Sequence, residues 1–297
     1  MSVAPDSPSC PVCGASARAG STCGECGGRV PKSPPAKPKP KRVTIASLLR
    51  SRGFTITRMG GHGGKDPALD TLSLLLMFQF PYVEHLLKAI RSGGPRDCPG
   101  FTLSMEAVDD DHRTMLTNLG FLLLRNGLLS EFRVSPKRDE IRGLVAPQER
   151  AIQFLDGRWL ERAILVCLGG FLNLENHRVE YALNTEVRRP PSPVDGFEAP
   201  FEFDLLLRVD GHLFWWEAKS GQFDPAQIGR YRTIADELEL PADHCFLVLA
   251  GNPKNSNHVF QRARHGLWTL RPEDIPLVVE SIEGAFRRAK ATGRRGS

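Results

Sequence analysis

The chain has 297 residues, of which 41% are hydrophobic and 25% charged, and its formal net charge is +5. This is the composition of a soluble globular protein, long enough for one large or two modest domains with appendages, and its mild basicity permits a polyanionic partner without requiring one. The first nine residues lack the basic start and apolar run of a targeting segment, and the apolar stretches 72–80 and 163–174 are too short or too glycine-interrupted to cross a bilayer, so a cytoplasmic protein without a membrane partner is expected.

Seven cysteines are distributed unevenly. Cys10-Pro-Val-Cys13-Gly and Cys23-Gly-Glu-Cys26-Gly form a C-x2-C…C-x2-C array, in which each pair makes a tight knuckle and four thiolates complete a tetrahedral Zn2+ shell. A disulfide framework is the alternative, disfavoured by a reducing compartment. So short a segment has almost no core and depends on its metal, and four thiolates leave no open position, so the zinc is read as structural. Cys98, Cys167 and Cys245 are scattered and read as ordinary buried residues. The segment 1–30 is therefore a zinc ribbon. Residues 31–42, rich in proline with four lysines, one arginine and no acid, form an extended linker.

Residues 43–150 carry less information. Helical patterning covers 45–52 and 69–91, with Pro81 starting or kinking a helix. The glycine-rich run 60–65 departs from a phosphate loop in spacing and in Asp66, and reads as a connector, with His62 a loop residue. The aspartates 109–111 cap a helix to Arg125, stopped by Asn126-Gly127, and 128–134 with 140–145 form a hairpin carrying Lys137 and Arg138. A helix followed by a basic hairpin is similar to a winged helix, and a helical packing domain is the equal alternative.

From 151 onward the pattern becomes α/β. Asp156 is suited to cap a helix over 158–174, 178–189 reads as a strand, and 190–200 as a loop. Two β-rich runs then flank Asp210-Gly211, the pattern of a two-residue type I′ hairpin. If Val209 faces His212, strict alternation sets Leu206 opposite Trp215, Asp204 opposite Glu217 and Glu202 opposite Lys219, all on one face. Like charges directly opposed are destabilising, so Asp204 facing Glu217 calls for a countercharge. A divalent cation, Mg2+ or Mn2+, supplies one, with Lys219 beside it. The plainer reading is a solvated strand face with a Glu202–Lys219 ion pair, against which stand the Phe, Leu and Trp neighbours on both strands. Glu180 and Glu186 on the preceding strand read as surface residues. Beyond the hairpin, 245–250 is an apolar strand, 257–265 a helix, 267–270 an edge strand, 272–290 a closing helix, and the tail 291–297 is basic.

Asp204 followed by Glu217-Ala-Lys219 resembles the PD-(D/E)xK nuclease superfamily. Gly157-x-Trp159-Leu-Glu161, Glu202-x-Asp204 and Glu217-x-Lys219, in that order, look like the nuclease domain of CARF-type CRISPR ancillary nucleases. Gln227-Ile-Gly-Arg-Tyr231 is similar to the Gln-x-x-x-Tyr of RecB-like nucleases. The resemblance implies an α/β restriction-endonuclease-like α-β-β-β-α-β core over 151–290. It also implies a metal site of Asp204, Glu217 and Glu161 with the Ala218 carbonyl, and Gln227 and Tyr231 on one helix face pointing back to it. Glu161 alternatively serves only the helix dipole, and the Gln227–Tyr231 pair is alternatively an ordinary surface pair. The implied reaction is metal-dependent hydrolysis of nucleic-acid phosphodiesters by Mg2+ or Mn2+, with DNA favoured over RNA as substrate. A protein partner through the zinc ribbon, a homodimer, and a role in defence against mobile elements are implied by analogy. No nucleotide-sensing domain is evident before 150, so activation by a cyclic oligonucleotide does not carry over. A non-cleaving nucleic-acid-binding module and a partner-binding scaffold remain as alternatives.

Overall fold

The computed structural model describes residues 21–29, 43–60, 66–93, 100–171, 177–189, 200–221, 223–224, 226–251, 261–262 and 267–293. Cys10, Cys13, the linker, Cys98, His62 and the tail beyond 293 lie outside them. The chain divides into two units, residues 1–42 and 43–297.

Within the first unit, the described residues form one turn. The Cys23 N–H donates to the Gly28 carbonyl (2.8 Å), Gly27 takes φ 72, and the Gly28 N–H reaches Cys26 Sγ at 3.4 Å. Only a residue free to adopt positive φ lets the amide turn back on the sulfur, which is why glycine follows the second cysteine.

The second unit is mixed α/β. Its larger sheet has seven strands among the described residues, in the order β1-β5-β6-β7-β8-β10-β9. These are β1 (Thr55–Gly60), β5 (Val179–Arg188), β6 (Pro200–Val209), β7 (His212–Lys219), β8 (Cys245–Leu249), β9 (Gln261–Arg262) and β10 (Trp268–Leu270). β1, β5, β6 and β7 are antiparallel in succession, whereas β8 runs parallel to β7 and β10 parallel to β8. Helix α6 (Trp159–Phe171) precedes β5, and α7 (Gln227–Glu237) forms the crossover from β7 to β8.

Both faces of this sheet are covered, which explains its nearly continuous apolar strands. Leu213, Trp215, Cys245 and Leu247 pack with Tyr231, Ile234 and Leu238 of α7 and with Ile45 and Leu49 of α1 (Ile45–Ser51). Phe214, Trp216, Phe246 and Val248 pack on the opposite side with Trp159, Ile164 and Leu168 of α6 and with Ile275 and Val279 of α8 (Ile275–Gly293). Helix α8 continues beyond Lys290, where the sequence pattern ends it.

Residues 43–60 join this sheet rather than standing apart from it. β1 pairs with β5, and α1 is docked by two long-range bonds: Glu180 Oε1 accepts the Ile45 N–H (3.0 Å), and Arg208 Nη1 donates to the Val43 carbonyl (2.7 Å). Glu180 thus serves the unsatisfied N-terminus of a helix, and Glu186 pairs with Arg58 at 2.7 Å.

The remainder of the middle region contains α2 (Pro67–Phe78), α3 (Phe80–Ser92), α4 (Asp110–Arg125) and a second sheet of three strands. That sheet has the order β2-β4-β3, built of β2 (Gly100–Ser104), β3 (Leu129–Val134) and β4 (Glu140–Val145). Asp109 caps α4 through the His112 N–H (2.9 Å), and Gly127 leaves it at φ 67. β1 and β2 are strands absent from the sequence expectations. The hydrophobic cluster of these helices is continuous with that of α6 and α8.

Two further expectations are corrected. Residues 261–262, expected within a helix over 257–265, form a strand on the free edge of β10. There they satisfy backbone groups that β10 would otherwise leave open. Asp156 is not the start of the helical path: that path begins at Glu149 with α5 (Glu149–Gln153), continues through Phe154–Arg158 and is kinked there before α6. Gly157, at φ 144, makes the kink.

Candidate functional site

Asp210 (φ 49) and Gly211 (φ 101) make the tight turn between β6 and β7. The resulting register, Val209 opposite His212 through Leu206 opposite Trp215, is the one the Asp-Gly pair predicts. It runs to Leu205 opposite Trp216 and stops. Asp204 Oδ2 instead accepts the Ala218 N–H at 2.8 Å, a carboxylate taking a donor that a strand backbone would otherwise receive.

Strict alternation also fails at this point. Phe201 and Phe203 pack on the α7 side together with Leu206, whereas Leu205, Leu207 and Val209 pack on the α6 side. The face therefore slips between Phe203 and Leu205, correcting the expectation that residues 202–208 alternate regularly. Opposite the slip, the β5 ladder passes from Thr185–Phe203 to Leu183–Leu205 around Asn184, whose φ is 46. Asparagine tolerates this left-handed conformation better than other side chains. Asn184 is 5% exposed and its Nδ2 donates to Glu161 Oε2.

The slip brings acids from two layers together. Asp204 and Glu217 are buried, and Lys219 Nζ lies 2.8 Å from Glu217 Oε1 and 3.8 Å from Asp204 Oδ2. Glu161, half-buried on α6, is close enough for Asp204 to act on its ionisation. Tyr231 of α7 is buried, its hydroxyl donating to Gln227 Oε1 (3.2 Å), and Glu217 acts on its phenol; Gln227 itself is exposed. The expected Glu202–Lys219 pair is not part of the ladder: Glu202 stands across from Glu186 on β5, and Lys219 turns to Glu217. Arg91 of α3 holds the end of β7, donating to Ser220 Oγ and to its carbonyl, each at 3.3 Å.

The electrostatics are those of too many carboxylates for one ammonium. Burial, then Glu217, pushes Asp204 up to about 8. Burial also raises Glu217 against the pull of Lys219. Glu161 is driven well above the usual carboxylate range, first by burial and then by Asp204, with Arg158 opposing. Burial would lower the Lys219 ammonium, but Glu217 and Asp204 outweigh it, so Lys219 stays protonated. The Tyr231 phenol is raised by burial and then by Glu217. Glu217 Oε2 is buried with no partner in full hydrogen-bond geometry, although Tyr231 and Trp215 stand near enough to ease its carboxyl.

Among the described residues, no three His, Cys, Asp and Glu side chains stand in a group ready to hold a metal ion. Glu217 and Asp204 converge on Lys219 instead. The donor set, all carboxylate oxygen with one oxygen unpartnered, fits a hard divalent cation in chemistry. Sequence reasoning missed Asn184, because an asparagine inside a strand carries no signal until its partner on α6 is known. It also passed over Arg158 as an unspecified position.

No protein-family model matches the chain, and no curated protein matches it in sequence. Among solved structures, the chain is similar to protein VC1899 from Vibrio cholerae, with TM-score 0.59 and 17% identity over 83% of this chain and 62% of that one. It is also similar to Can2 from Sulfobacillus thermosulfidooxidans, solved in complex with cyclic tetra-adenylate, with TM-score 0.50 and 14% identity over 80% of this chain and 61% of that one. The chain spans about three fifths of the length of each. At these identities the likeness is one of fold, and it is too long to be confined to residues 151–297.

Proposed function

We propose that this chain is a metal-dependent nuclease of the PD-(D/E)xK type, hydrolysing nucleic-acid phosphodiesters with Mg2+ or Mn2+. The element order α6-β5-β6-β7-α7-β8 is that of the superfamily's α-β-β-β-α-β core. One observation carries the reading: Asp204 and Glu217 are buried together with a carboxylate oxygen left unpartnered, an arrangement that a cation would relieve.

Asp204, Glu217 and Glu161 would hold the ion, with the Ala218 carbonyl. Such an ion, when bound, lowers the pKa of a coordinated water and polarises a phosphoryl oxygen. Lys219, kept protonated by its carboxylate neighbours, acts as a hydrogen-bond donor and positive charge toward a phosphate oxygen or an attacking water, not as a base. Tyr231 stands beside Glu217 and would limit how that carboxylate can turn, with Gln227 accepting the Tyr231 hydroxyl on its outer side. Asn184 aims Glu161.

DNA is the substrate class we favour over RNA. We read Cys10, Cys13, Cys23 and Cys26 as a structural Zn2+ site, the Cys23–Cys26 turn with its N–H···S bond being a knuckle suited to it. The fold shared with Can2 supports a place among CRISPR-related defence proteins, without carrying over that protein's ligand. A partner protein at the ribbon and a homodimer complete the proposal.

The test is cleavage of plasmid, linear duplex, single-stranded DNA and RNA with Mg2+, Mn2+ or EDTA, comparing wild type with Asp204→Ala and Lys219→Ala. Metal-dependent cutting lost in both variants supports the reading. Nucleic acid bound but never cut, with Asp204→Ala indifferent, would replace it with a non-cleaving binding module. Zinc content per chain, lost in Cys26→Ser, tests the ribbon.

A further inference from the structure

A cleft of about 570 Å³ opens beside Glu161, between α2, α5, α6 and β5. Of the site's acids it is lined by Glu161, together with the Asn184 that Glu161 accepts from, whereas Asp204, Glu217 and Lys219 lie outside its lining. Its walls carry three guanidinium groups with different surroundings. Arg150 is paired with Asp66, and Arg162 with Asp70 at 2.7 Å and with the Asp66 carbonyl at 3.2 Å. Arg158 differs. Among the described residues it has no carboxylate at ion-pair distance, and its Nη1 donates only to the neutral Gln153 Oε1, at 2.7 Å. A second, shallower hollow continues outward past Arg158 and Arg58.

The backbone brings Arg158 there by an unusual route. It follows the kink between two helical segments at which Gly157 takes φ 144, a conformation that an L side chain rarely adopts. Arg158 is half-buried, and its charge reaches Glu161. A guanidinium has five donors in a planar fork, and most of this one's remain for a ligand. The ligand that matches such a fork, in a cleft that reaches Glu161 of the proposed nuclease site, is a phosphate.

We propose that Arg158 binds a phosphate of the nucleic-acid strand next to the one that is cut, and that the strand leaves the acids along this cleft. The proposal rests on the nuclease reading. It adds a substrate contact at a residue that reading does not use. Arg158 does not hold the metal, so its effect falls on binding of the strand and on the salt dependence of that binding.

The experiment measures binding of a labelled single-stranded DNA oligonucleotide by the full chain in EDTA, over a series of salt concentrations. Wild type is compared with Arg158→Gln, Arg158→Lys and the remote Arg142→Gln, with cleavage by wild type assayed in parallel. Arg158→Gln should bind about 10-fold more weakly, and the slope of log affinity against log salt should fall by about 0.7, the value for one phosphate contact on a single strand. Arg158→Lys keeps the stem and the charge without the fork, and should recover part of the affinity and the whole of the slope. Arg142→Gln should match wild type. Equal affinity and slope in wild type and a folded Arg158→Gln, with wild type still cutting, would overturn this inference alone. A wild type that neither binds nor cuts would overturn the nuclease reading and this inference with it. Should Arg158→Gln fail to fold, Arg158→Lys decides: affinity equal to wild type would mean the guanidinium fork is not used.

Discussion

Two hairpins in this molecule set like charges against one another, with opposite consequences. On β3–β4, Arg133 stands directly opposite Arg142, with side chains 80% and 69% exposed. Each turns to a carboxylate on its own strand, Arg133 to Glu131 at 3.3 Å and Arg142 to Glu140 at 2.5 Å. On β6–β7, the Asp204 and Glu217 side chains are 12% and 4% exposed and share a single lysine. Two unit charges about 4 Å apart interact by about 1 kcal/mol in water and about 4 kcal/mol at the effective dielectric near a protein surface. Water and local partners dissipate the first repulsion. In the second, Lys219 is shared between the two acids and Asp204, raised to about 8, holds its proton in the metal-free protein; that proton is what the proposed divalent ion would displace.

The sharpest way to break this comparison is to remove the buried acids. Asp204→Ala and Glu217→Ala should each lower metal-dependent cleavage by about 10³-fold or more, and Lys219→Ala by about 10²-fold, measured as initial rates on whichever substrate wild type cuts. Cleavage that survives both acid variants would detach the buried pair from catalysis.

The next effect is on stability against pH. In the metal-free protein Asp204 is raised from 3.8 to about 8. Below the unfolded pKa both states hold the proton and its stabilisation is fully present; between the two values only the folded state does, so stability falls as pH rises toward about 8. Denaturant midpoints in EDTA should therefore decline from pH 5 to pH 8, Mn2+ should reverse the decline, and Asp204→Asn should flatten it. A metal-free midpoint that rises over that window would sink the assignment.

A smaller effect is expected at Asn184. Asn184→Gly keeps the positive φ but removes the bond to Glu161, so it should cost about 1–3 kcal/mol in the metal-free protein while Mn2+ affinity, measured by titration on the folded variant, drops about 10- to 100-fold. Unchanged affinity would mean that Glu161 needs no aiming.

On the other sheet the effects should be structural. A methyl at Gly120 of α4 would overlap the Phe132 ring of β3, so Gly120→Ala should cost about 1–3 kcal/mol in chemical denaturation while leaving the cleavage rate of the folded protein intact. Replacing Arg142 by Gln should leave both readouts unchanged.

Much of the fold was legible because its signals are local. Asp210-Gly211 sets the register of β6 on β7 through its own dihedral angles, Asp109 and Gly127 delimit α4, and continuous apolar strands announce a sheet covered on both faces. The strands β1 and β2 were not legible, since each is short and exists only because a partner strand offers it backbone groups.

At the site the division follows the same physics. The sequence by itself determined which acids and which lysine share a hairpin, because alternation and a two-residue turn are properties of a few neighbouring residues. Tertiary structure alone decided that the alternation slips at Asp204, that Asn184 turns left-handed to reach Glu161, and that Arg158 arrives in the cleft past a kink at Gly157. Each of these depends on a partner from an element distant in the chain, and no local propensity encodes an interaction whose other half lies on another layer.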